Sequence, residues 1–277
     1  MIIIYLIIGW LIAMLINHAA NLLPRRESIW QAPTCTNCQT KRDGLMAWSM
    51  LVSMARNSLS CPTCQVQSET FKRAIVVEIV MPLLFIFLYG RYGASSQTLI
   101  IMLYTAILVL ITVTDLEHKL IFNLVMLPAI LLVILLAFVT PLAGFWEFAP
   151  SCNSILHGIL TLFIIRPDSF WSIAIIGGAT GFIISYGAFL FGTLTYGRGA
   201  LGAGDVTLSV FLGLILGLPY ILLAFIITVF LGAIIPLMLL LTRRISRKSY
   251  IPYGPFLTLS GWLMLVWGDE IWQYIYC

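Results

Sequence analysis

The sequence predicts an all-α integral membrane protein of about eight transmembrane helices with one small cytoplasmic loop domain. Two observations support this prediction: 61% of the 277 residues are hydrophobic, and only 9% are charged. A soluble domain has about 25% charged residues, and so few charges could not cover a surface in water. The composition therefore excludes a water-soluble enzyme, a secreted disulfide scaffold and a disordered tail. The small net charge of +4 gives no indication of a nucleic-acid partner.

A helix needs about 20 mostly apolar residues to cross the hydrocarbon of a bilayer. Eight apolar runs are separated by charged or Pro/Gly-rich breaks, and they cover 2–23, 74–90, 97–114, 121–142, 170–195, 205–218, 220–242 and 254–268. The sixth run is short and adjoins the seventh. The segment 154–165 is apolar but too short to span, which indicates an interfacial or re-entrant piece. The first run lacks the basic start and cleavage site of a signal peptide, so we expect a retained span.

Basic residues accumulate on the cytoplasmic side of membrane proteins and so predict the orientation. If the N-terminus lies outside, thirteen of the 15 Lys and Arg residues fall inside: Arg25, Arg26, Lys41, Arg42, Arg56, Lys72, Arg73, Lys119, Arg198, Arg243, Arg244, Arg247 and Lys248. Only Arg91 and Arg166 then fall outside. The predicted organisation is a first transmembrane helix over 1–23, a cytoplasmic loop domain over 24–73 and a polytopic membrane domain over 74–277.

The loop domain contains two C-x-x-C pairs, formed by Cys35 with Cys38 and by Cys61 with Cys64. Two such pairs can close a tetrahedral zinc site in a segment too small for a core of its own. Disulfides are one alternative, although the reducing cytosol disfavours them, and a redox pair is another. We expect structural zinc. Cys152 and Cys277 both fall on the predicted outer side, and the sequence does not place them near each other.

Acidic residues at the edge of an apolar bundle are costly and are candidates for function. Asp115 ends the third apolar run, and Asp205 opens the sixth in the sequence Gly202-Ala-Gly204-Asp205, both on the predicted cytoplasmic side. Two facing carboxyl groups cannot both ionise cheaply, so one can act as a base and the other as an acid in the attack of water on a peptide bond. Gly202 and Gly204 would let an extended substrate backbone approach. The alternative is that Asp205 caps its helix and Asp115 is a surface acid.

Several motifs together resemble one known family. They are the stretch 17–24, the four-cysteine loop, Val77-Glu78, Asp115 followed by Ile121-Phe122-Asn123, the Leu201–Val206 stretch containing G-x-G-D, and Ile251-Pro252-Tyr253-Gly254-Pro255-Phe256. In these motifs the chain resembles the bacterial type IV prepilin peptidases, which are membrane aspartic peptidases of the G-x-G-D type. The resemblance extends over nearly the whole chain.

The resemblance implies a catalytic pair of Asp115 and Asp205 in a protein of the bacterial inner membrane. It also implies that the substrates are membrane-inserted type IV prepilins or type II secretion pseudopilins, whose short basic leader is cut after a Gly at the cytoplasmic face. Relatives with the four-cysteine loop usually also N-methylate the new amino terminus with S-adenosylmethionine.

Three positions depart from the family pattern. Thr207 stands where the family usually has Lys, Phe122 stands where it has Pro, and Arg198-Gly-Ala precedes G-x-G-D where an acidic residue is common. In addition, the first loop has no clear match to the family's D-N-I-P-x-x-S-W stretch. Thr207 and this altered loop leave open a second interpretation, a non-catalytic membrane assembly factor that binds prepilins without cutting them. A transporter is a third interpretation, but it predicts acidic residues near the centres of the spans, whereas Asp115 and Asp205 lie at the ends.

Overall fold

The computed structural model describes residues 1–25, 31, 33–35, 38, 40, 44, 48–56, 63–64, 70–139, 170–196, 202–243 and 252–276. The regular secondary structure of these residues is helical, which confirms the all-α prediction for this part of the chain. Nine α-helices occur in it: α1 (Ile2–Leu22), α2 (Met50–Ala55), α3 (Phe71–Tyr92), α4 (Ser96–His118), α5 (Asn123–Val139), α6 (Phe170–Tyr196), α7 (Ala203–Leu216), α8 (Tyr220–Leu241) and α9 (Gly254–Tyr276). Apart from the short α2, they coincide with the eight predicted apolar runs. The predicted interfacial piece 154–165 lies outside the described residues.

Four of the described helices are long and apolar enough to cross a membrane. They are the helix that begins at Ile2, α4, the 173–195 part of α6, and α8. The apolar segments Asn123–Leu136 and Ala203–Leu216 are shorter. The long helix α3 carries four charged residues, and the long helix α9 carries two, Asp269 and Glu270. The described residues thus form an all-α protein with four candidate membrane spans, and a topology of eight spans stays a prediction.

Two helices extend beyond the apolar runs that predicted them. Helix α4 continues to His118, so Asp115 lies in its last turn. Helix α9 continues to Tyr276, and Asp269 on this extension accepts a hydrogen bond of 2.5 Å from the hydroxyl of Tyr220. A hydropathy pattern marks the part of a helix that suits hydrocarbon, and a helix can continue past that part where its polar side chains find partners.

The chain divides into two compact units, and the first comprises Met1–Val113. Within it α1 packs along α3. The packing is close at Gly9, where an added Cβ would lie 2.7 Å from the Cα of Pro82. The rings of Tyr5 and Tyr89 stack with centroids 4.6 Å apart. These contacts join α1 to α3 although the whole loop domain separates the two helices in the sequence.

The second unit comprises Thr114–Cys277 and has α7 at its centre. Helix α7 packs against α5, α6, α8 and α9, and its side chains Leu208, Phe211 and Leu212 are fully buried. The contact with α6 is a backbone contact, since a Cβ on Gly177 would lie 2.5 Å from the Cα of Gly217. Helix α7 is enclosed by four helices, and Asp205 in its first turn is buried, although Ala203 at the start of the helix is exposed.

Candidate active site

Asp205 lies in the first turn of the central helix α7 and is 7% exposed. The main-chain N–H of Gly202 donates to its Oδ2 over 3.2 Å. The first amides of a helix have no partner within the helix, and an acidic side chain in the first turn satisfies one of them and complements the helix dipole. Asp205 therefore caps α7, as the alternative interpretation of the sequence expected, but it lies in the interior of the unit.

Asp115 lies in the last turn of α4 and is 5% exposed. The main-chain N–H of Gly254, at the start of α9, is directed at its carboxylate. Its Oδ2 is buried and accepts no hydrogen bond from the part of the chain that the structure describes. Asp115 and Asp205 lie close enough for the charge of one to influence the other. The structure thus brings together the two aspartates that the sequence analysis singled out.

The loop between α4 and α5 forms a further side of this site through Ile121. A Cβ on Gly204 would lie 2.6 Å from the Cβ of Ile121, closer than two such atoms can approach. Gly204 therefore leaves room for Ile121, and the amide of Gly202 binds Asp205. These are roles within the chain, and the predicted role of both glycines beside a substrate stays a prediction.

Tyr253 immediately precedes α9 and lies near Asp205. Burial raises the pKa of Tyr253 to about 12, and the negative charge of Asp205 adds to this effect. The phenol therefore stays protonated at neutral pH and can donate a hydrogen bond. Ile121, Tyr253 and Gly254 lie in motifs shared with the family, but their side chains indicated no role from the sequence alone. Their presence in motifs shared with a family was the signal that could have found them.

Three of the four predicted zinc ligands lie together. The sulfur atoms of Cys35, Cys38 and Cys64 are all within 4.8 Å of one another, and the first and last are 3.7 Å apart. A disulfide bond is about 2.05 Å long, whereas two thiolates on one tetrahedral zinc ion, each about 2.3 Å from the metal, are about 3.8 Å apart. The geometry fits a metal ion. Cys61, Cys152 and Cys277 lie outside the described residues.

Glu78 joins the loop domain to α3 and is 1% exposed. Its Oε2 accepts hydrogen bonds from the Ser49 hydroxyl over 2.7 Å and the Leu51 N–H over 3.0 Å, and its Oε1 accepts one from the Met50 N–H over 2.7 Å. Both oxygens are therefore engaged at the start of α2. This buried acid of the first unit holds a helix of the loop against a long apolar helix.

The fold and the site describe a membrane protein whose helix ends enclose a buried pair of aspartates. Residues 101–237, just under half of the chain, match the type IV leader peptidase family. The resemblance predicted from the sequence is thereby confirmed.

Curated relatives extend the similarity to most of the chain. A protein of Pseudomonas putida named "Prepilin leader peptidase/N-methyltransferase" is 26% identical over 243 residues, which are 87% of this chain and 74% of the relative. Proteins with the same name from Aeromonas hydrophila and Bacillus subtilis (strain 168) are 26% and 23% identical, over 87% and 92% of this chain and 72% and 86% of their own lengths. No solved structure matches the chain.

Proposed function

We propose that the chain is a prepilin leader peptidase of the bacterial inner membrane, in which Asp115 and Asp205 form the catalytic pair. The observation that carries this proposal is the burial of both carboxyl groups near each other, where the end of α4 meets the starts of α7 and α9 around Ile121. The names of the relatives support the substrate class. The substrate is a prepilin or pseudopilin with a short basic leader that is cut at the cytoplasmic face.

The chemistry follows from the pair. The unprotonated carboxylate takes a proton from a water molecule while the water oxygen bonds to the scissile carbonyl carbon. The protonated carboxyl group gives its proton to the carbonyl oxygen. When the tetrahedral intermediate collapses, its C–N bond breaks, the amine leaves with the proton that the first carboxyl group had taken, and a hydroxyl of the intermediate returns a proton to the second carboxyl group. Both aspartates then have their starting protonation.

We also propose that Cys35, Cys38, Cys61 and Cys64 bind one structural zinc ion. The separations of the three described sulfur atoms support this. A site closed by four cysteines leaves no open position for a substrate. The ion would therefore stabilise the loop domain and take no part in the cleavage.

Methylation of the new amino terminus with S-adenosylmethionine is part of the proposal because the relatives carry N-methyltransferase in their names. We assign no residue to this step. Glu78, the buried acid beside the loop, accepts hydrogen bonds on both oxygens from the start of α2.

The test is to co-express the chain with a prepilin in cells that lack their own processing enzyme and to determine the mass of the pilin's N-terminal peptide. We expect loss of the leader, with one additional methyl group if the second activity is present. Loss of the leader without the methyl group would leave a peptidase alone. An intact leader on several prepilins and pseudopilins would contradict the proposal and favour a non-catalytic assembly factor.

A further inference from the structure

The start of α9 meets the Asp115 carboxylate through its first residue, Gly254. The N–H of a residue at this position has no acceptor within its own helix, and here it is directed at Asp115. The positive end of the α9 dipole lies at the same place. A main-chain group of α9 thus supplies a fixed donor to an acidic side chain of α4.

Gly254 also leaves the room that this carboxylate itself occupies against the main chain of α9. A Cβ at position 254 would overlap Oδ2 of Asp115, and it would lie 3.0 Å from its Cγ and 3.4 Å from Cδ1 of Ile121. The overlapping atom, Oδ2, is the carboxylate oxygen that accepts no hydrogen bond from the described residues. The side of Gly254 that lacks a Cβ therefore adjoins the uncommitted oxygen of the aspartate.

We propose that Gly254 is a positioning residue of the peptidase site. Its N–H orients the Asp115 carboxylate, and its missing Cβ lets Oδ2 lie against the start of α9, in the position from which the carboxyl group acts on the attacking water or the scissile carbonyl group. This inference rests on the proposed function and deepens it, because it makes α9 a third helix of the reaction centre besides α4 and α7. An acid–base group must be held closely in its working position, and a displacement of about 1 Å can lower a rate by about 100-fold.

Two other glycines of α9, Gly261 and Gly268, are suitable controls for distinguishing a role in catalysis from a role in helix packing. Gly254, Gly261 and Gly268 follow one another at heptad spacing, so they lie along one face of the helix. A Cβ on Gly261 would collide with the side chain of Leu212, an apolar contact in the interior of the unit. A Cβ on Gly268 would make only van der Waals contact, with its nearest atom, in the Tyr220 ring, at 3.4 Å.

The experiment compares Gly254→Ala, Gly261→Ala and Gly268→Ala in the full-length protein. The readouts are kcat and KM for a prepilin and the melting temperature in detergent. We expect Gly254→Ala to lower kcat by about 100-fold with KM close to that of the wild type, and to lower the melting temperature no more than Gly261→Ala does. Gly261→Ala should lower the melting temperature and leave kcat within about threefold at a temperature where it is folded. Gly268→Ala should match the wild type in all three readouts.

A kcat of Gly254→Ala within twofold of the wild type would overturn the inference while leaving the proposed function intact. A wild type that cleaves no prepilin would overturn both. If Gly254→Ala does not fold, the double variant Ile121→Ala with Gly254→Ala makes room beside the new Cβ and is compared with Ile121→Ala alone. A folded double variant with a kcat about 100-fold lower supports the inference, and equal kcat values refute it.

Discussion

At the residue scale, the donors directed at the two aspartates, among the residues that the structure describes, are neutral main-chain N–H groups. Asp205 receives the N–H of Gly202, just before α7, and Asp115 receives that of Gly254, the first residue of α9. Family members usually have a Lys at the position of Thr207, and the hydroxyl of Thr207 donates instead to the carbonyl oxygen of Gly204 over 2.8 Å. The positive ends of the α7 and α9 dipoles thus favour negative charge at the two aspartates. A Lys at position 207 would add a full positive charge to this environment.

The two aspartates should each be indispensable for cleavage. Asp115→Asn and Asp205→Asn keep the shape of the side chain but remove its ability to exchange a proton, and acid–base catalysis contributes about 100-fold to 10,000-fold to a rate. We expect leader removal in the co-expression assay to fall by at least about 100-fold, with unchanged amounts of protein in the membrane.

A matched control is Glu117→Gln on the same helix turn, where the carboxylate pairs with His118 at 3.7 Å. It should retain the wild-type rate. Normal processing by either Asn variant would contradict the catalytic pair.

The sequence singled out Asp115 and Asp205 because an acidic residue next to an apolar run is rare and conspicuous. It could not assign Gly254 or Ile121 in the same way, since neither side chain carries chemistry. Their importance comes from distances across the fold: the overlap of a 254 Cβ with Asp115, and the 2.6 Å that would separate a 204 Cβ from Ile121. Such steric requirements become visible only once the helices are packed.

At the element scale, Glu78 should stabilise the attachment of α2. In Glu78→Gln an amide NH₂ replaces one of the two oxygens that face N–H and O–H donors. The lost hydrogen bond and charge should cost about 1–3 kcal/mol. We expect faster limited proteolysis between residues 48 and 56 and a lower melting temperature.

The exposed Glu270 on α9 provides the control for this experiment. Glu270→Gln should leave the proteolysis rate of the 48–56 segment unchanged. Equal protection of the 48–56 segment in Glu78→Gln and the wild type would show that the carboxylate is not needed to hold α2.

The contact of α6 with α7 depends on glycines. A Cβ on Gly213 would lie 2.6 Å from the carbonyl carbon of Gly177 and 2.9 Å from the Cα of Gly178. Because these are backbone atoms, the helices must move apart, and overpacking of this kind typically costs about 1–3 kcal/mol. Gly213→Ala should therefore lower the melting temperature.

Gly187→Ala on α6 is the matched control, since an added Cβ there meets no atom within 4 Å. It should be neutral or slightly stabilising, because Ala favours a helix over Gly by up to about 1 kcal/mol. If both variants melted at the same temperature, the backbone contact would not contribute to stability.

The long helices could be predicted from the sequence because hydrocarbon requires continuous apolar runs of known length. The conformation around α2 could not be predicted in this way. Its six residues are too few to form a stable helix alone, and Glu78 and the Ser49 cap fix its start. A short helix that depends on a residue far away in the sequence has no hydropathy pattern of its own. Only the isolated polar residues that hold it in place can be seen in the sequence.

At the scale of the whole molecule, the zinc site should govern the stability of the loop domain. Cys35→Ser and Cys61→Ser each remove one predicted ligand, so zinc content measured by mass spectrometry of the purified protein should fall from about one ion per chain. Proteolysis of the loop should become faster, since metal binding to such a site contributes folding free energy. Cys152→Ser, on the predicted outer side, is the control. Unchanged zinc in both loop variants would refute the site.

Orientation links the site to its substrate. Helix α4 ends and α5 begins next to the aspartate pair, and α7 and α9 also begin there. Lys119 directly follows α4, and Arg243 follows α8. Since basic residues mark the cytoplasmic side, we expect the pair to face the cytoplasm, where the basic leader of a prepilin is found.

Reporter fusions test this orientation in cells. Alkaline phosphatase, which is active only outside the cytoplasm, should be active when fused after Ser95, between α3 and α4. It should be inactive after Leu120, between α4 and α5, where a fluorescent protein should instead be bright. Each reporter is fused separately at both points, so each fusion serves as the control for the other. Only helix α4 separates the two fusion points. The opposite pattern would place Asp115 and Asp205 on the outer side of the membrane, whereas the leader of an unprocessed prepilin lies in the cytoplasm. It would contradict both the predicted topology and cleavage at the cytoplasmic face.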